Sequence, residues 1–463
     1  MSRSIRALAV KPLCLMFLCL VAKASLADSV DAYARELLKK QHVVGLSLAV
    51  VKDGRIVKVG GYGFANIETK TPARPGTVYK IASVSKQFFA SAVMLLVGEG
   101  KIRLDDKASQ YLDKTPDSWK DITVRELLSH TAGLVEDPPG FLPFKPQEDA
   151  EVIKSVYPVP LLFKPGTAWS YSNAGYFAVA EVIRKVTGQS WDTFLADRLF
   201  RPAGLLTTRI TSTTEIVPNR SAGYLFDADR LVNAENWVAV RPSGAFLSTV
   251  VDLAKWDIAL DKGTILPPVL RDQLWTRTKF STSGAAEYGL GWEVGQWQGH
   301  TEIGHSGGLP GFVTKICRYP DDGLAVIVCA NTESCDVGGA ARHIAGLFVP
   351  ALAAPEEKPI EDKSPETTSR VFHLLQATLT GTLPPDEFVA WRRDTDIRMA
   401  KFNAMLLKPY GSLKKLNLVG GGKRSTFVFY RYRAIFDKDS CFIMFAIDDA
   451  GKVIDLSVQL MTP

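Results

Sequence analysis

Two residues one helical turn apart, Ser83 and Lys86, could carry out nucleophilic chemistry. They form a Ser-x-x-Lys tetrad at the start of an apolar run from Phe88 to Val97. If that run is a helix, the two side chains share a face, so an amine stands beside a hydroxyl. A serine hydroxyl is a weak nucleophile until a base takes its proton, and a helix N-terminus adds partial positive charge where an alkoxide would form. The tetrad therefore predicts a serine nucleophile with a lysine base.

The same tetrad occurs a second time, from Ser412 to Lys415. Average composition makes about one or two such matches expected by chance in a chain of this length. The second copy lies in a stretch typical of a loop running into a strand, and it has no companion motifs. Only the first copy is a candidate site.

Two triplets follow the first tetrad along the chain. Tyr171-Ser172-Asn173 precedes an apolar helix, and His305-Ser306-Gly307 lies in a glycine-rich stretch before a strand. In this order and spacing the three motifs resemble the serine β-lactamase and penicillin-binding protein superfamily, and most of all its class C β-lactamase, D-Ala-D-Ala carboxypeptidase (S12-type) and esterase branch. The resemblance covers about residues 30 to 350. Further stretches similar to that branch are Leu127 to Gly133, Ser243 to Phe246 and Tyr288 to Trp292.

The resemblance implies a role for each of these positions. Ser83 would attack an acyl carbon, Lys86 would accept or shuttle its proton, and Tyr171 would relay the proton toward the leaving group. Lysine and tyrosine titrate near about 10 in water, so these bases need burial or neighbouring charge to shift their pKa values. The remaining implied roles are substrate binding by Asn173, His305, Ser306 and Gly307, an oxyanion hole formed by the backbone N–H groups of Ser83 and Gly308, and a structural role for His130.

His305 departs from the lysine that class C β-lactamases carry at this position. An imidazole with its ordinary pKa of about 6.5 is mostly neutral above pH 7, so we expect capture of a substrate carboxylate to weaken as the pH rises. Burial would lower the pKa of His305 and a nearby carboxylate would raise it, and the sequence leaves both directions open. The departure favours hydrolysis of D-amino-acid peptides or esters over efficient β-lactam hydrolysis.

A rival motif overlaps the triplet His305-Ser306-Gly307. Gly304 to Gly308 satisfies G-x-S-x-G, the nucleophile elbow of α/β-hydrolases, with Ser306 as nucleophile and Asp321 or Asp322 and then His343 following in the required order. An elbow requires a strand, a sharp turn and then a helix. The residues after this motif instead lead into an alternating apolar run, which predicts a strand.

A second alternative is a non-catalytic or slowly acylating penicillin-binding protein. Such a protein would keep the fold and form only a slow acyl adduct, or would use its C-terminal part for assembly. Fold resemblance alone does not fix a substrate. The intact set of proposed catalytic positions nevertheless favours an enzyme.

The elements that must position these residues follow from hydrophobic periodicity. Val44 to Lys52, an Asp53-Gly54 turn and Arg55 to Tyr62 predict a β-hairpin near the N-terminus. Predicted helices fill the middle of the chain, and strands then return. This order predicts an α/β fold in which an antiparallel sheet, built from both ends and flanked by helices, carries a helical insertion. The predicted helices are the one after Ser83, Val124 to Ser129, Ala174 to Thr187, Trp191 to Phe200 and Val251 to Leu260, and the returning strands are Leu290 to Gln296, Phe312 to Tyr319 and Leu324 to Ala330.

The chain divides into four predicted segments. Residues 1–27 form a signal peptide, residues 28–353 the serine hydrolase domain, residues 354–368 a linker rich in proline and acids, and residues 369–463 a C-terminal α+β accessory domain. The last segment combines a helix-like opening (Val371 to Leu379 and Asp386 to Trp391) with aromatic and β-branched strands, an arrangement similar to nuclear-transport-factor-2-like domains. It shows no catalytic constellation, so we expect a structural or dimerising role.

The N-terminus predicts export. Arg3, Arg6 and Lys11 precede the apolar segment Leu13 to Ala22, and small residues ending at Ala27 fit a signal peptidase site. About ten apolar residues are too few to span a bilayer, and no later segment is long enough either. A periplasmic or secreted location without a membrane span is therefore expected.

Charge and cysteine content limit the partners. The chain has 55 basic and 49 acidic residues, and removal of the signal takes four of the basic ones, which leaves a net charge near +2 and disfavours nucleic acid. Cys317, Cys329, Cys335 and Cys441 would remain, with three possible disulfide pairings and no C-x-x-C spacing. The scattered cysteines and histidines predict no metal and no cofactor. A small-molecule or peptide substrate is the expected partner, and the sequence leaves the oligomeric state open.

Overall fold

A computed structural model describes residues 13–460, apart from 213, 228–229, 238–241, 355–357, 390–399, 401–402, 405–406 and 425–426; side chains are described from residue 26. None of the helices in these ranges combines the length and hydropathy that crossing a bilayer would require. The N-terminal helix α1 (Leu13–Lys40) runs through the predicted cleavage point after Ala27. Among its side chains described from residue 26 onward, the first buried one is Val30.

The main sheet has seven antiparallel strands in the order β3-β2-β1-β12-β11-β10-β9. Strands from the two ends of this part of the chain meet at β1 and β12, where Leu46 pairs with Ala330. This confirms the predicted sheet built from both ends. The strands are β1 (Gly45–Lys52), β2 (Arg55–Asn66), β3 (Thr71–Pro72), β4 (Tyr79–Lys80), β5 (Arg209–Ile210), β6 (Tyr224–Asp227), β7 (Arg230–Asn233), β8 (Phe246–Ser248), β9 (Glu293–Trp297), β10 (His300–Leu309), β11 (Phe312–Tyr319) and β12 (Leu324–Ala330).

Helices form the insertion between the two halves of the sheet. Short 3₁₀ segments accompany them, and β4, β8 and β5 form a small sheet of their own beside the insertion. The helices of the insertion are α2 (Lys86–Gly98), α3 (Val124–Ser129), α4 (Asp149–Lys154), α5 (Asn173–Thr187), α6 (Trp191–Leu195), which continues as a π-helical turn (Ala196–Phe200), α7 (Val250–Asp261) and α8 (Pro268–Leu274). Helix α9 (Val337–Phe348) follows β12, after the insertion. The 3₁₀ segments are Ala82–Ser85, Ala108–Gln110, Asp117–Trp119, Pro242–Gly244, Pro320–Asp322 and Pro350–Leu352.

Two hydrophobic cores lie on the two faces of the main sheet. One face, which includes Ile303 and Ile316, packs against the helical insertion. The other face, which includes Cys317 and Tyr319, packs against α1 and α9. Since side chains alternate along a strand, neighbouring residues of β10 and β11 belong to different cores.

The C-terminal residues form a second unit with its own core. A four-stranded antiparallel sheet is covered by a helix that contributes Val371, Leu374 and Leu375. Its elements are α10 (Pro365–Thr380), 3₁₀ turns at Pro385–Glu387 and Lys408–Tyr410, β13 (Leu413–Arg424), β14 (Phe427–Phe436), β15 (Ser440–Asp448) and β16 (Val453–Leu460). This agrees with the predicted α+β composition.

Several predicted boundaries in this unit need correction. The linker was expected to extend to residue 368, but α10 begins at Pro365, because proline is favoured in the first turn of a helix. The helix-like stretch from Asp386 is a 3₁₀ turn ending at Glu387, and its part from residue 390 lies outside the described residues. Strand β13 contains Lys415 of the second tetrad, so Ser412 and Lys415 do not share a helical face.

Candidate active site

The predicted nucleophile lies in a short 3₁₀ segment that leads directly into α2. Ala82, just before Ser83, has a φ of 48°, which is a strained backbone conformation for a residue with a Cβ. Two contacts with β8 hold this turn: the Ile81 N–H donates to the Phe246 carbonyl (3.1 Å), and the Phe246 N–H donates to Ser85 Oγ (3.2 Å). The neighbouring sheet therefore fixes the backbone of Ser83 before any substrate binds.

Lys86 is fully buried beside the predicted nucleophile. Its ammonium group donates to Ser83 Oγ (3.1 Å), to Asn173 Oδ1 (2.9 Å) and to the carbonyl of Ser243 (2.9 Å). An ammonium group has three hydrogens, so it can serve all three of these acceptors. The backbone carbonyl of Ser243 is a partner that the sequence analysis does not predict, although Ser243 to Phe246 is one of the stretches that carry the family resemblance.

Asn173 links Lys86 to an acidic residue. Its Oδ1 faces Lys86, and its Nδ2 donates to Asp137 Oδ1 (2.9 Å), which leaves a second Nδ2 hydrogen available to a substrate carbonyl. Asn173 opens α5, whose N-cap is Ser172, and the N–H of Asn173 donates to the carbonyl of Glu136 (2.7 Å). A helix start and two loop contacts thus orient this amide.

An aromatic shell covers the side of Lys86 that faces Tyr171. The lysine Nζ lies 4.7 Å from the centre of the Tyr171 ring and 5.2 Å from that of Tyr176. His130, the left-handed C-cap of α3, lies 4.4 Å from Tyr171 and accepts the Ser172 N–H at Nδ1 (3.1 Å). Burial, followed by the charge of Lys86, holds the pKa of His130 well below its usual range. His130 is therefore neutral, and its contacts fit the structural role expected for it.

Strand β10 brings the third motif against the nucleophile. A Cβ at Gly307 would lie 2.3 Å from the carbonyl oxygen of Ile81 and 3.2 Å from the Ser83 nitrogen, so only glycine allows this close approach. A Cβ at Gly308 would meet nothing within 4 Å. The motif lies inside a strand, not before one, and β11 follows β10 through a tight turn. The helix that a nucleophile elbow at Ser306 requires is therefore not at this position.

His305 is a neutral imidazole in a defined tautomer. Its Nδ1 lies 2.5 Å from the carbonyl of Ser306, which can only accept, so Nδ1 carries the hydrogen and Nε2 accepts the Tyr288 hydroxyl at 2.8 Å. The pKa of His305 is lowered to about 4, mainly by burial. The charge of Lys86 also lowers this pKa, and the Glu293 carboxylate raises it. The expectation of a charge change near neutral pH is therefore wrong, because burial outweighs the nearby carboxylate.

The side chain of Ser306 is exposed and points to the face of the sheet opposite that of His305. Its Oγ accepts from Lys315 Nζ (3.3 Å), and the same ammonium lies 2.5 Å from Glu293 Oε2. Burial raises the pKa of Glu293, but Lys315 and His305 outweigh it and bring that pKa to about 2. Sequence reasoning missed this ion pair, although the register of the β10–β11 hairpin pairs Ser306 with Lys315 and could have indicated it.

A cavity of about 180 Å³ lies in front of the nucleophile. Ser83, Asn173 and Gly308 line it, whereas the described lining does not include Tyr171, His305 or Ser306. Acidic residues at positions 136 and 137 also reach it. In the ranges that the structure describes, no three His, Cys, Asp or Glu side chains cluster in a way that could hold a metal ion.

Comparison with known proteins identifies the family of this chain. The Beta-lactamase family profile matches residues 30–347, and the chain belongs to this family. It is 26% identical to penicillin-binding protein 4* of Bacillus subtilis over 370 residues, which cover 73% of this chain and 79% of that protein. It is 29% identical to a D-aminopeptidase of Brucella anthropi over 348 residues, which cover 72% of this chain but only 64% of the D-aminopeptidase.

Solved structures show the same fold. An octameric penicillin-binding protein homologue from Pyrococcus abyssi aligns with a TM-score of 0.65 at 20% identity over 94% of this chain and 98% of that one. The D-amino acid amidase of Ochrobactrum anthropi SV3, complexed with L-phenylalanine amide, aligns with a TM-score of 0.61 at 24% identity over 70% and 98% of the two chains. Fold and family together define a β-lactamase-related serine hydrolase.

Proposed function

We propose that this chain is an exported hydrolase that cleaves D-amino-acid peptides or esters through an acyl-enzyme formed on Ser83. The observation that supports this most directly is the position of Lys86 Nζ, 3.1 Å from Ser83 Oγ in a fully buried setting. At this distance the ammonium of Lys86 hydrogen-bonds the serine oxygen without intervening water, so it can stabilise the alkoxide that forms when Ser83 loses its proton.

The proton path of this proposal involves Lys86 and Tyr171 together. A cation beside the tyrosine ring favours loss of the phenolic proton, because an opposite charge stabilises the phenolate. Tyr171 would then take the proton of Ser83 and return it to the leaving group, while Asn173 holds the substrate carbonyl. The N–H groups of Ser83 and Gly308, which line the same cavity, would bind the developing oxyanion.

The charges around the third motif support peptides and esters over β-lactams. His305 is neutral, and the positive charge of Lys315 is engaged with Glu293. Among the described residues, a β-lactam carboxylate beside this motif would therefore meet a neutral imidazole and an ammonium already paired with Glu293, whereas an ester or amide without that carboxylate loses nothing.

Intact-mass analysis after incubation with a fluorophosphonate, a penicillin and p-nitrophenyl esters of D-amino acids tests this function. We expect one fluorophosphonate adduct on the peptide that contains Ser83, no adduct in Ser83→Ala, and an unchanged adduct in Ser306→Ala. Turnover of the D-esters without a persistent adduct would support a hydrolase. A stable adduct with no turnover would support the alternative of a slowly acylating penicillin-binding protein, and full labelling of Ser83→Ala would refute the proposed nucleophile.

A further inference from the structure

A second cavity adjoins the one in front of Ser83. Its volume is about 310 Å³, and the two cavities meet at Pro310, which lines both. Two consecutive residues also line them, Asn236 in the second cavity and Trp237 in the first. A substrate that fills the first cavity can therefore extend past Pro310 into the second.

Lys80 places a buried ammonium group on the wall of this second cavity. Its Nζ donates to Asn236 Oδ1 (2.9 Å) and to the carbonyl of Trp237 (2.9 Å) and lies 5.8 Å from the centre of the Phe312 ring. These two bonds leave one of its three hydrogens for another acceptor. Burial, with a smaller effect of Arg220, lowers the pKa of Lys80 to about 8, so the group is still mostly charged at pH 7.

Arg220 adds a second positive charge to the same wall. Its backbone pairs with Val78 beside β4, and its Nη1 donates to the carbonyl of Ser212 (3.0 Å). Neither Lys80 nor Arg220 forms an ion pair with any residue that the structure describes. The two cations repel each other, so an anion between them would relieve that repulsion.

The acidic side chains that line this cavity are exposed to solvent and accept hydrogen bonds from other residues. Glu68 accepts from Asn233 Nδ2 (2.9 Å), and Glu235 accepts from the indole N–H of Trp237 (3.2 Å). Both carboxylates are solvent-exposed, whereas Lys80 is only 6% exposed. Among the described lining residues, the lysine charge is therefore buried, whereas the carboxylate charges are exposed to solvent.

Contacts within the chain hold the walls of this cavity in place. A Cβ at Gly223 would lie 2.6 Å from the Phe312 ring, and Gly311, with a φ of 76°, packs against both Gly223 and Ala234. The Ala234 N–H donates to the Gly223 carbonyl (3.0 Å). Such a preformed site loses little conformational entropy when it binds.

We propose that this second cavity binds a carboxylate carried by the acyl portion of the substrate. The inference rests on the proposed acyl-enzyme at Ser83. The leaving group must lie beside Tyr171, which lines neither cavity, so the part of the substrate that extends past Pro310 is the acyl part. Three residues of chain span at most about 11 Å, so the Cα atoms of Lys80 and Ser83 lie within that distance of each other, and a glutaryl-capped or D-glutamyl donor has a length of the same order.

Paired substrates test this proposal. One pair compares p-nitrophenyl esters of N-glutaryl-D-alanine and its amide-terminated N-glutaramyl analogue, and the other compares those of N-acetyl-D-glutamate and N-acetyl-D-glutamine. We expect kcat/KM at pH 7 to favour the carboxylate member of at least one pair by about tenfold, the advantage of a charge-assisted hydrogen bond over a neutral one. Preference in the first pair assigns the carboxylate to the N-terminal cap, and preference in the second assigns it to the side chain.

Substitutions in the cavity wall then locate the effect. Arg220→Gln and Lys80→Gln should each bring the preference down toward one, Arg220→Lys should keep most of it, and Arg209→Gln, on neighbouring β5 and paired with Glu215, should leave it unchanged. A ratio cancels any general loss of activity from a loosened fold. Equal kcat/KM within both pairs, together with good turnover, would overturn this proposal and leave the proposed function intact. Failure of all four esters to acylate Ser83 would overturn both.

Discussion

The buried imidazole of His305 should make the folded protein less stable as the pH falls. An unfolded chain binds a proton at this histidine near pH 6.5, whereas the folded protein binds it only near pH 4. Folding stability from this group is therefore complete above about pH 7 and is lost as the pH falls through 6.5 toward 4. With these two pKa values the loss between pH 7.5 and pH 5 is about 2 kcal/mol, and its limit is about 3 kcal/mol.

Urea unfolding of the wild type and of His305→Gln at several pH values measures this effect. Eight of the nine tryptophans precede residue 300, so tryptophan fluorescence reports mainly on the unit that holds the site. The wild type should lose about 2 kcal/mol more than the variant between pH 7.5 and pH 5, because groups that titrate in both proteins cancel in the comparison. His42→Gln, at an exposed position in the same unit as His305, is the matched control and should behave like the wild type.

Parallel pH curves for the wild type and His305→Gln would refute the reasoning. That result would mean that His305 titrates in the folded protein as it does in the unfolded chain. The neutral imidazole would then no longer argue against carboxylate capture at this position. The same neutrality predicts that His305 contributes no change to KM between pH 5.5 and 8 for a carboxylate-bearing substrate.

Three further outcomes follow from the site and the chain organisation. Lys86→Ala, Tyr171→Phe and the double variant should lose similar factors in kcat/KM, and a double loss equal to the product of the two would argue against a shared proton path. Gly307→Ala should slow acylation by at least about 100-fold, the contribution typical of one oxyanion-hole donor, because its Cβ would press on the Ile81 carbonyl and displace the Ser83 N–H. Gly308→Ala, with open space at its Cβ, should fold normally and lose less, and equal losses would contradict the packing argument. Limited proteolysis should cut first within residues 354–364, and mass spectrometry with fluorophosphonate labelling should show that the N-terminal fragment still reacts. A folded fragment without reactivity would mean that the C-terminal unit contributes to the site.

Local signals in the sequence were enough for many of the elements. Strands β11 and β12 have the predicted bounds, because a Pro-Asp-Asp-Gly turn separates two alternating apolar runs. Helix α3 also matches, since Thr123 and Glu126 form a capping box at its start. In these places the local pattern and the tertiary contacts favour the same structure.

Strand β10 shows why other features could not be predicted. Its glycines reduce strand propensity, so the sequence indicated only a glycine-rich stretch before a strand. Those glycines are needed because a Cβ at Gly304 would lie 2.0 Å from the Ile316 carbonyl and one at Gly307 would meet the Ile81 carbonyl. The pKa of His305 and the cavity wall at Lys80 likewise depend on residues that are distant in sequence, and only the tertiary structure brings them together.

The cysteines after residue 300 have a practical consequence for studying this enzyme. All four are free and buried, and burial raises the pKa of the thiols of Cys317, Cys329 and Cys441 to about 12 and that of Cys335 as well. Thiols that are neither ionised nor accessible react slowly with disulfide reagents. Thioester substrates can therefore be followed continuously with a thiol-detecting dye, because these four side chains will contribute little background colour while the protein stays folded.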